Sequence, residues 1–223
     1  MSLIGLLIGL LISVLCILAS LTLYKNLIDV ATESKLDSSH DGQLASALLV
    51  MQLEVQSAGY GIEAANFDHL VKHTPATGKI QLLWRFSPDG GTTFECRGFR
   101  EEPLEDEGTF RVLELIKANS GCNATASLSG LTWTKVAVLG RWRVVDDGVA
   151  DAGLDYYITT NKTLFNFQLA DAMCSPYGAS ASATENHALL VITAPGSATL
   201  QGAPGITASE HKFCLPNIYL ASP

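Results

Sequence analysis

The first 24 residues contain no charged side chain, and no proline occurs before Pro75. Between Gly9 and Gly42 there is no glycine either. The residues that stop helices are therefore missing from a long N-terminal stretch. Basic residues are scarce: 14 Lys and Arg face 22 Asp and Glu, a net charge of -8. That balance excludes a protein that holds nucleic acid broadly by neutralising phosphates. Charged residues make up 16% of the chain against the roughly 25% usual for soluble domains. The high apolar content excludes disorder. The sequence has no G-x-S-x-G elbow, no phosphate loop and no dinucleotide glycine motif. It has no internal repeat and no second apolar run long enough to span a bilayer. At 223 residues it is one domain, or one domain with an appendage.

What is present at the start is an apolar run over residues 3–24, LIGLLIGLLISVLCILASLTLY. Its 22 residues span about 33 Å as a helix, and a bilayer core is about 30 Å thick. Ser13, Ser20 and Thr22 are its polar side chains, and each can bond back to its own helix. Tyr24 and Lys25 stand where an interfacial anchor belongs. A cleaved secretory signal has a shorter apolar core behind a basic stretch, and neither applies. Cys16 is not a lipoprotein cysteine, because Leu15 fills the preceding position where a small residue is needed. The absence of a basic flank leads to two expectations: either a short basic leader has been removed before Met1, or insertion depends on Lys25.

Beyond the run, Leu44, Leu48, Met51 and Val55 recur at helical spacing. Leu27, Val30 and Ala31 continue similar spacing nearer the membrane. The polar run Asp37-Ser38-Ser39-His40-Asp41-Gly42 predicts a kink or a break. The helix is expected to stop near Ala58-Gly59-Tyr60-Gly61. A one-sided second half suits a stalk packed on a globular head.

These residues carry a resemblance. Met1-Ser2-Leu3-Ile4-Gly5-Leu6-Leu7-Ile8 resembles the mature N-terminus of a type IV pilin, whose pattern is Phe or Met, Ser or Thr, Leu, Ile or Val, Glu, Leu. The phrase Leu53-Glu54-Val55-Gln56-Ser57-Ala58-Gly59-Tyr60-Gly61 is similar to the helix end of W-class minor pilins. The resemblance covers residues 1–61. It implies filament assembly through Met1, Leu3, Ile4, Gly5, Leu6 and Gly9, with a processed, methylated N-terminus. Gly5 departs from the pattern, since most of the family has Glu there to pair with a neighbour's N-terminal amine. An unpaired charge in hydrocarbon is costly, and a subunit with Gly5 offers no acceptor for it. Gly5 therefore points to a tip or initiating subunit, or, with Gly9, to close helix packing at small-xxx-small spacing.

From residue 62 the pattern becomes mainly strand. Strands are predicted at 79–86, 92–99, 110–117, 132–145, 154–160, 163–169, 188–193 and 212–220, with a hairpin turn at Ser87-Pro88-Asp89-Gly90-Gly91. Four head cysteines, Cys96, Cys122, Cys174 and Cys214, allow three pairings. Pairing of sequence neighbours, Cys96 with Cys122 and Cys174 with Cys214, is preferred, and the second resembles the C-terminal loop that closes many pilin heads. Disulfides imply an oxidising compartment. No cysteine pair has the short spacing of a thiolate metal site.

Candidates for chemistry are few. His69 and His73 lie at i, i+4, but no glutamate follows His69 in a zinc-protease pattern and Thr74-Pro75 disfavours helix, so both are expected in an exposed loop. Asp146, Asp147, Asp151 and Asp155 with two glycines form a weak calcium candidate, or a solvated turn. Glu101, Glu102, Glu105, Asp106 and Glu107 are expected in a solvated loop. Alternation over Arg141-Trp142-Arg143 puts Trp142 in the core and both arginines outside, though a small stacking or phosphate contact is the other reading. The sequons at Asn123 and Asn161 matter only in a eukaryotic secretory pathway.

The expected fold class is α+β: a long N-terminal helical spine, transmembrane in its first half, packed against a β-rich head. The divisions are residues 1–24, a filament-core or transmembrane helix; 25–61, its amphipathic continuation; and 62–223, the head with two disulfides. The expected function is a non-enzymatic filament subunit with no cofactor, no catalytic residues, no metal and no nucleic-acid partner. Its partners would be other pilin subunits, and the bacterial inner membrane before assembly. It would end in an extracellular pilus or a periplasmic secretion pseudopilus. A single-pass anchored binding or sensor domain is the alternative of a different class, followed by an anchored periplasmic hydrolase.

Overall fold

A computed structural model describes residues 3–75, 80–103, 110–143, 164–170, 174, 187–194 and 208–219, with Leu3, Leu6, Pro103 and Arg143 described by their backbone. The chain is α+β: one long helix, then antiparallel strands in two sheets. It divides into two compact units, Met1–Ser39 and His40–Pro223.

Helix α1, Leu3–Val55, runs through both units. A kink or a break was expected at Asp37–Gly42; the helix is continuous there, so no break occurs. Those residues weaken a helix by a few tenths to about 1 kcal/mol each. Ser46 turns its hydroxyl back to the Gly42 carbonyl at 2.8 Å, keeping its polar atom within the helix. From His40 onward packing adds to the helix, since His40, Leu44, Ala47, Leu48, Met51 and Val55 are buried. The last four of the predicted stripe are all there, with Ala47 added between them.

The helix ends where predicted, in a turn through residues 56–61. Gly59 (φ +76°) and Gly61 (φ +69°) take left-handed backbone there. Gly59 N–H donates to the Arg85 carbonyl at 2.9 Å, and Ser87 N–H donates to the Tyr60 carbonyl at 2.7 Å. A Cβ on Gly61 would collide with the Ser87 carbonyl oxygen. The turn thus lies against the end of a strand with no room for a side chain.

The head's first sheet has the order β1 (Leu70–His73), β2 (Gln81–Phe86), β3 (Glu95–Pro103), β4 (Phe110–Ala118), β5 (Trp133–Arg143), all antiparallel. The second has the order β6 (Asn166–Ala170), β7 (His187–Ala194), β8 (Ser209–Tyr219). β1 was not predicted, because its four residues Leu-Val-Lys-His are too short for a periodic signal. The strand predicted at 92–99 begins later, at Glu95, because Asp89 draws Thr92 and Thr93 into the preceding turn. Its carboxylate accepts from Thr92 N–H, Thr93 N–H and the Thr93 and Ser87 hydroxyls. These donors hold Asp89 far below the usual carboxylate range. The strand predicted at 154–160 lies outside the described residues.

Alternation divides the first sheet into two faces. One carries Leu82, Trp84, Phe86, Phe99, Leu113, Leu115 and Trp142, which join the buried helix residues and Phe167, Leu190, Ile192, Leu215 and Ile218 of the second sheet in one core. Trp84 centres it: its ring lies 4.8 Å from Phe99, and its indole N–H donates to Ser57 Oγ at 3.1 Å. The other face carries Leu83, Cys96, Ile116 and Ala118, packed with Leu128 and flanked by Cys122 and Leu131.

Both neighbour pairings of the cysteines are present, Cys96–Cys122 and Cys174–Cys214. The first ties the segment after β4 across the second face. Its sequence separation of 26 corresponds to about 3.5 kcal/mol of loop-closure entropy. The double variant Cys96→Ser/Cys122→Ser is expected to lose about that much on denaturant unfolding of the full chain in detergent, with the first core left intact.

Candidate functional site

In the first unit the functional candidate is the helix surface. Its described side chains are exposed apart from half-buried Glu33 and Asp37. Ile4, Leu7, Ile8, Leu11, Leu15, Leu18 and Leu21 are all more than half uncovered. The segment is long and apolar enough to cross a membrane, and none of that stretch is buried within the chain. Its polar atoms are satisfied inside the helix: Ser13 donates to the Gly9 carbonyl at 2.9 Å, Ser20 to Cys16 at 2.8 Å, and Thr22 to Ala19 at 2.8 Å. These three hydroxyls thus present no unmet hydrogen bond to hydrocarbon, which suits a spanning helix.

Of the predicted assembly residues, Ile4, Gly5 and Gly9 lie on this uncovered helix, Leu3 and Leu6 lie in its first turns, and Met1 is outside the described residues. A Cβ built on Gly5 or Gly9 meets nothing within 4 Å. The chain's own packing therefore does not demand glycine at either place. Cys16 is a free, exposed cysteine on the same surface.

Among the described residues of the head, three inward-turned titratable groups bear on function. The first is Glu101, whose side chain is 1% exposed. Its acidic run was expected in a solvated loop. Instead Glu101 and Glu102 lie in β3, while Glu105, Asp106 and Glu107 lie outside the described residues. Strand alternation turns Glu101 to the core side beside Phe99. There its carboxylate accepts from the N–H groups of Leu164 (2.8 Å) and Phe165 (3.1 Å), and pairs with Arg111 at 3.3 Å. Burial raises its pKa above the ordinary carboxylate value, and the N–H donors and Arg111 offset that only in part.

The second is Arg85, 3% exposed, on the sheet's second face between Trp84 and Phe86. Nη1 donates to the Asn123 carbonyl at 2.5 Å, and Nη2 to the carbonyls of Ala126 (2.5 Å) and Asp68 (3.3 Å). It therefore clamps the segment that the Cys96–Cys122 bridge ties down. Burial lowers its pKa, and the nearby Asp68 charge opposes that.

The third is His69, expected in an exposed loop. It lies in the short 3-10 turn Phe67–His69 that leads into β1, and it lines the same groove as Arg85. It is half-buried, and its Nδ1 is buried with no partner among the described residues. Burial first, and the Arg85 charge second, lower its pKa. His73 is not in a loop either but closes β1. The structure separates the two histidines onto a turn and a strand, so they do not share a helix face.

His69, Asp68, Val71 and Arg85 line a groove of about 580 Å³, closed on the other side by residues 124–129 with Thr125, Ser127 and Ser129. Among the described residues no three metal-ligating side chains cluster. The calcium candidates Asp146, Asp147, Asp151 and Asp155 lie outside the described residues. In β5, Trp142 is buried and Arg141 exposed, as alternation predicted, and the Arg141 guanidinium lies 4.1 Å over the Phe110 ring. Arg85 and Glu101 were missed. The available signal for Arg85 was a lone cation inside the apolar run over 82–86.

No protein-family model, curated protein or solved structure matches this chain.

Proposed function

We propose that the chain is a structural subunit of a type IV pilus-like filament, placed at a tip or in an initiating role, with no catalytic activity. The observation that carries this reading is the apolar helix surface that nothing in the chain covers. Apolar surface of that extent needs lipid or other helices around it. The N-terminal resemblance to type IV pilins supplies the second support. In this reading the helix rests in the inner membrane with the head on the periplasmic side. On extraction, burial among neighbouring helices replaces burial in lipid. Gly5, with open space around it, has no role inside the subunit and offers no carboxylate to a neighbour's amine. Its own amine can still be accepted by another subunit's Glu, so it can stand at a tip where it has no neighbour's amine to accept.

A secretion pseudopilus subunit fits the same helix. A membrane-anchored binding domain that never polymerises also fits it, and the groove beside Arg85 gives that reading a support of its own.

The test is fractionation of native cells carrying the wild-type chain or Gly5→Glu. The expected result is the wild-type chain in the sheared filament fraction at low copy, and the variant there at equal or higher copy, since it regains an acceptor carboxylate. A plain anchor would instead stay wholly with the membrane. There, Gly5→Glu would lower insertion by about 2.5–3.5 kcal/mol at most.

A further inference from the structure

We propose that the groove between the β1–β2 edge and residues 124–129 binds a small oxyanion, a carboxylate or phosphate group, held by the positive field of Arg85. This inference does not depend on the filament reading. Arg85 is a buried cation whose three hydrogen-bond partners are all neutral carbonyls. Among the described residues no carboxylate lies within ion-pair distance of it, and Asp68 acts on it only through its field. A charge placed in low dielectric without a counter-ion is costly, and its field is poorly screened.

The acid nearest in the lining, Asp68, has an exposed side chain. Water and salt screen its charge more effectively than the buried guanidinium's. The groove therefore keeps a positive interior behind an acidic rim. His69 lines the same groove, where burial first and the Arg85 charge second lower its pKa. Its Nδ1 and Arg85 Nε are both buried without partners among the described residues. Two such atoms at one groove indicate a missing polar neighbour. Around the opening the Thr125 hydroxyl donates to Asn123 Oδ1 at 3.3 Å, and the Ser127 and Ser129 hydroxyls bond each other at 3.1 Å, so one proton of that pair is left to donate. The lining has no aromatic platform, which disfavours a stacked base or sugar ring. It also lacks a third metal-ligating side chain among the described residues.

The test uses the full chain in detergent micelles, titrated with sodium phosphate and, separately, sodium acetate, against sodium chloride at matched ionic strength. Amide shifts of His69 and residues 124–129 are followed by NMR. The expected result is a saturable shift with a dissociation constant of about 1–10 mM for one oxyanion, and none for chloride. Tighter phosphate than acetate identifies a phosphate ligand, and the reverse a carboxylate. Arg85→Lys should weaken binding about tenfold. Because that variant also loosens the clamped segment, Asp68→Asn is the second probe. It removes the rim charge but keeps the backbone carbonyl to which Arg85 donates, and should tighten binding about threefold. Shifts that chloride reproduces, or a titration that does not saturate, would overturn the proposal and leave Arg85 as a clamp alone. So would an affinity indifferent to Asp68→Asn.

Discussion

Glu101→Ala is expected to destabilise the head by about 3–5 kcal/mol, the range for removing one partner of a buried ion pair. The side chain receives two backbone N–H groups from the start of the second sheet and pairs with Arg111. Alanine leaves both N–H groups buried without an acceptor and deprives Arg111 of this carboxylate. Glu101→Gln should recover part of the loss, because one amide oxygen still accepts, while its NH₂ faces donors. The pH dependence has a definite sign. Burial raises the native pKa of Glu101 above its unfolded value, so the native state holds this proton more tightly than the unfolded chain. Its contribution to stability is complete below the unfolded pKa and declines as pH rises through the native one. The variant should lack that limb. Chemical denaturation of the full chain in detergent at several pH values measures both effects.

Trp84→Ala is expected to cost a similar amount, about 3–5 kcal/mol. The ring is fully buried where the helix end, the first sheet and the second sheet meet. It stacks at a tilt on Phe99, and its N–H holds Ser57 Oγ, which in turn donates to the Glu54 carbonyl at 2.6 Å. Trp84→Phe separates the two contributions. Phenylalanine keeps most of the apolar area but leaves the Ser57 hydroxyl oxygen without this donor, so a loss of about 1–2 kcal/mol is expected. Near-ultraviolet circular dichroism and denaturant midpoints report the change.

The parts of the fold legible in the sequence are those set by local periodicity. The stripe Leu44, Leu48, Met51, Val55 is the buried face of α1, and the turn that follows needs glycine twice: Gly61 lies against the Ser87 carbonyl, and Gly59 against Asn217, Ile218 and Ala65. Most strands fall where alternation puts them. Hairpin chemistry was partly misread: Asp89 captures Thr92 and Thr93, so the strand starts at Glu95. The run at 37–42 was expected to kink or break the helix, yet it stays helical because tertiary packing from His40 onward outweighs weak propensity.

Glu101, Arg85 and His69 were not legible for one shared reason. Each is a polar side chain whose partners lie far away in sequence: Leu164, Asn123 and Ala126, and the strand carrying Arg85. Composition treats such residues as solvated, and only the three-dimensional register reveals them as buried. The groove follows from the same pairing, because β1 beside β2 brings the turn before β1 to the strand that carries Arg85.

The most direct test of the filament reading is intact-mass and peptide mass spectrometry of sheared, purified surface filaments from the native cell. The expected result is this chain among the filament subunits, beginning at Met1 with a methylated amine and present at a small fraction of the repeating subunit. Filaments that lack it, together with a membrane fraction holding a chain whose N-terminus is unprocessed, would contradict the account and favour an anchored domain that never polymerises.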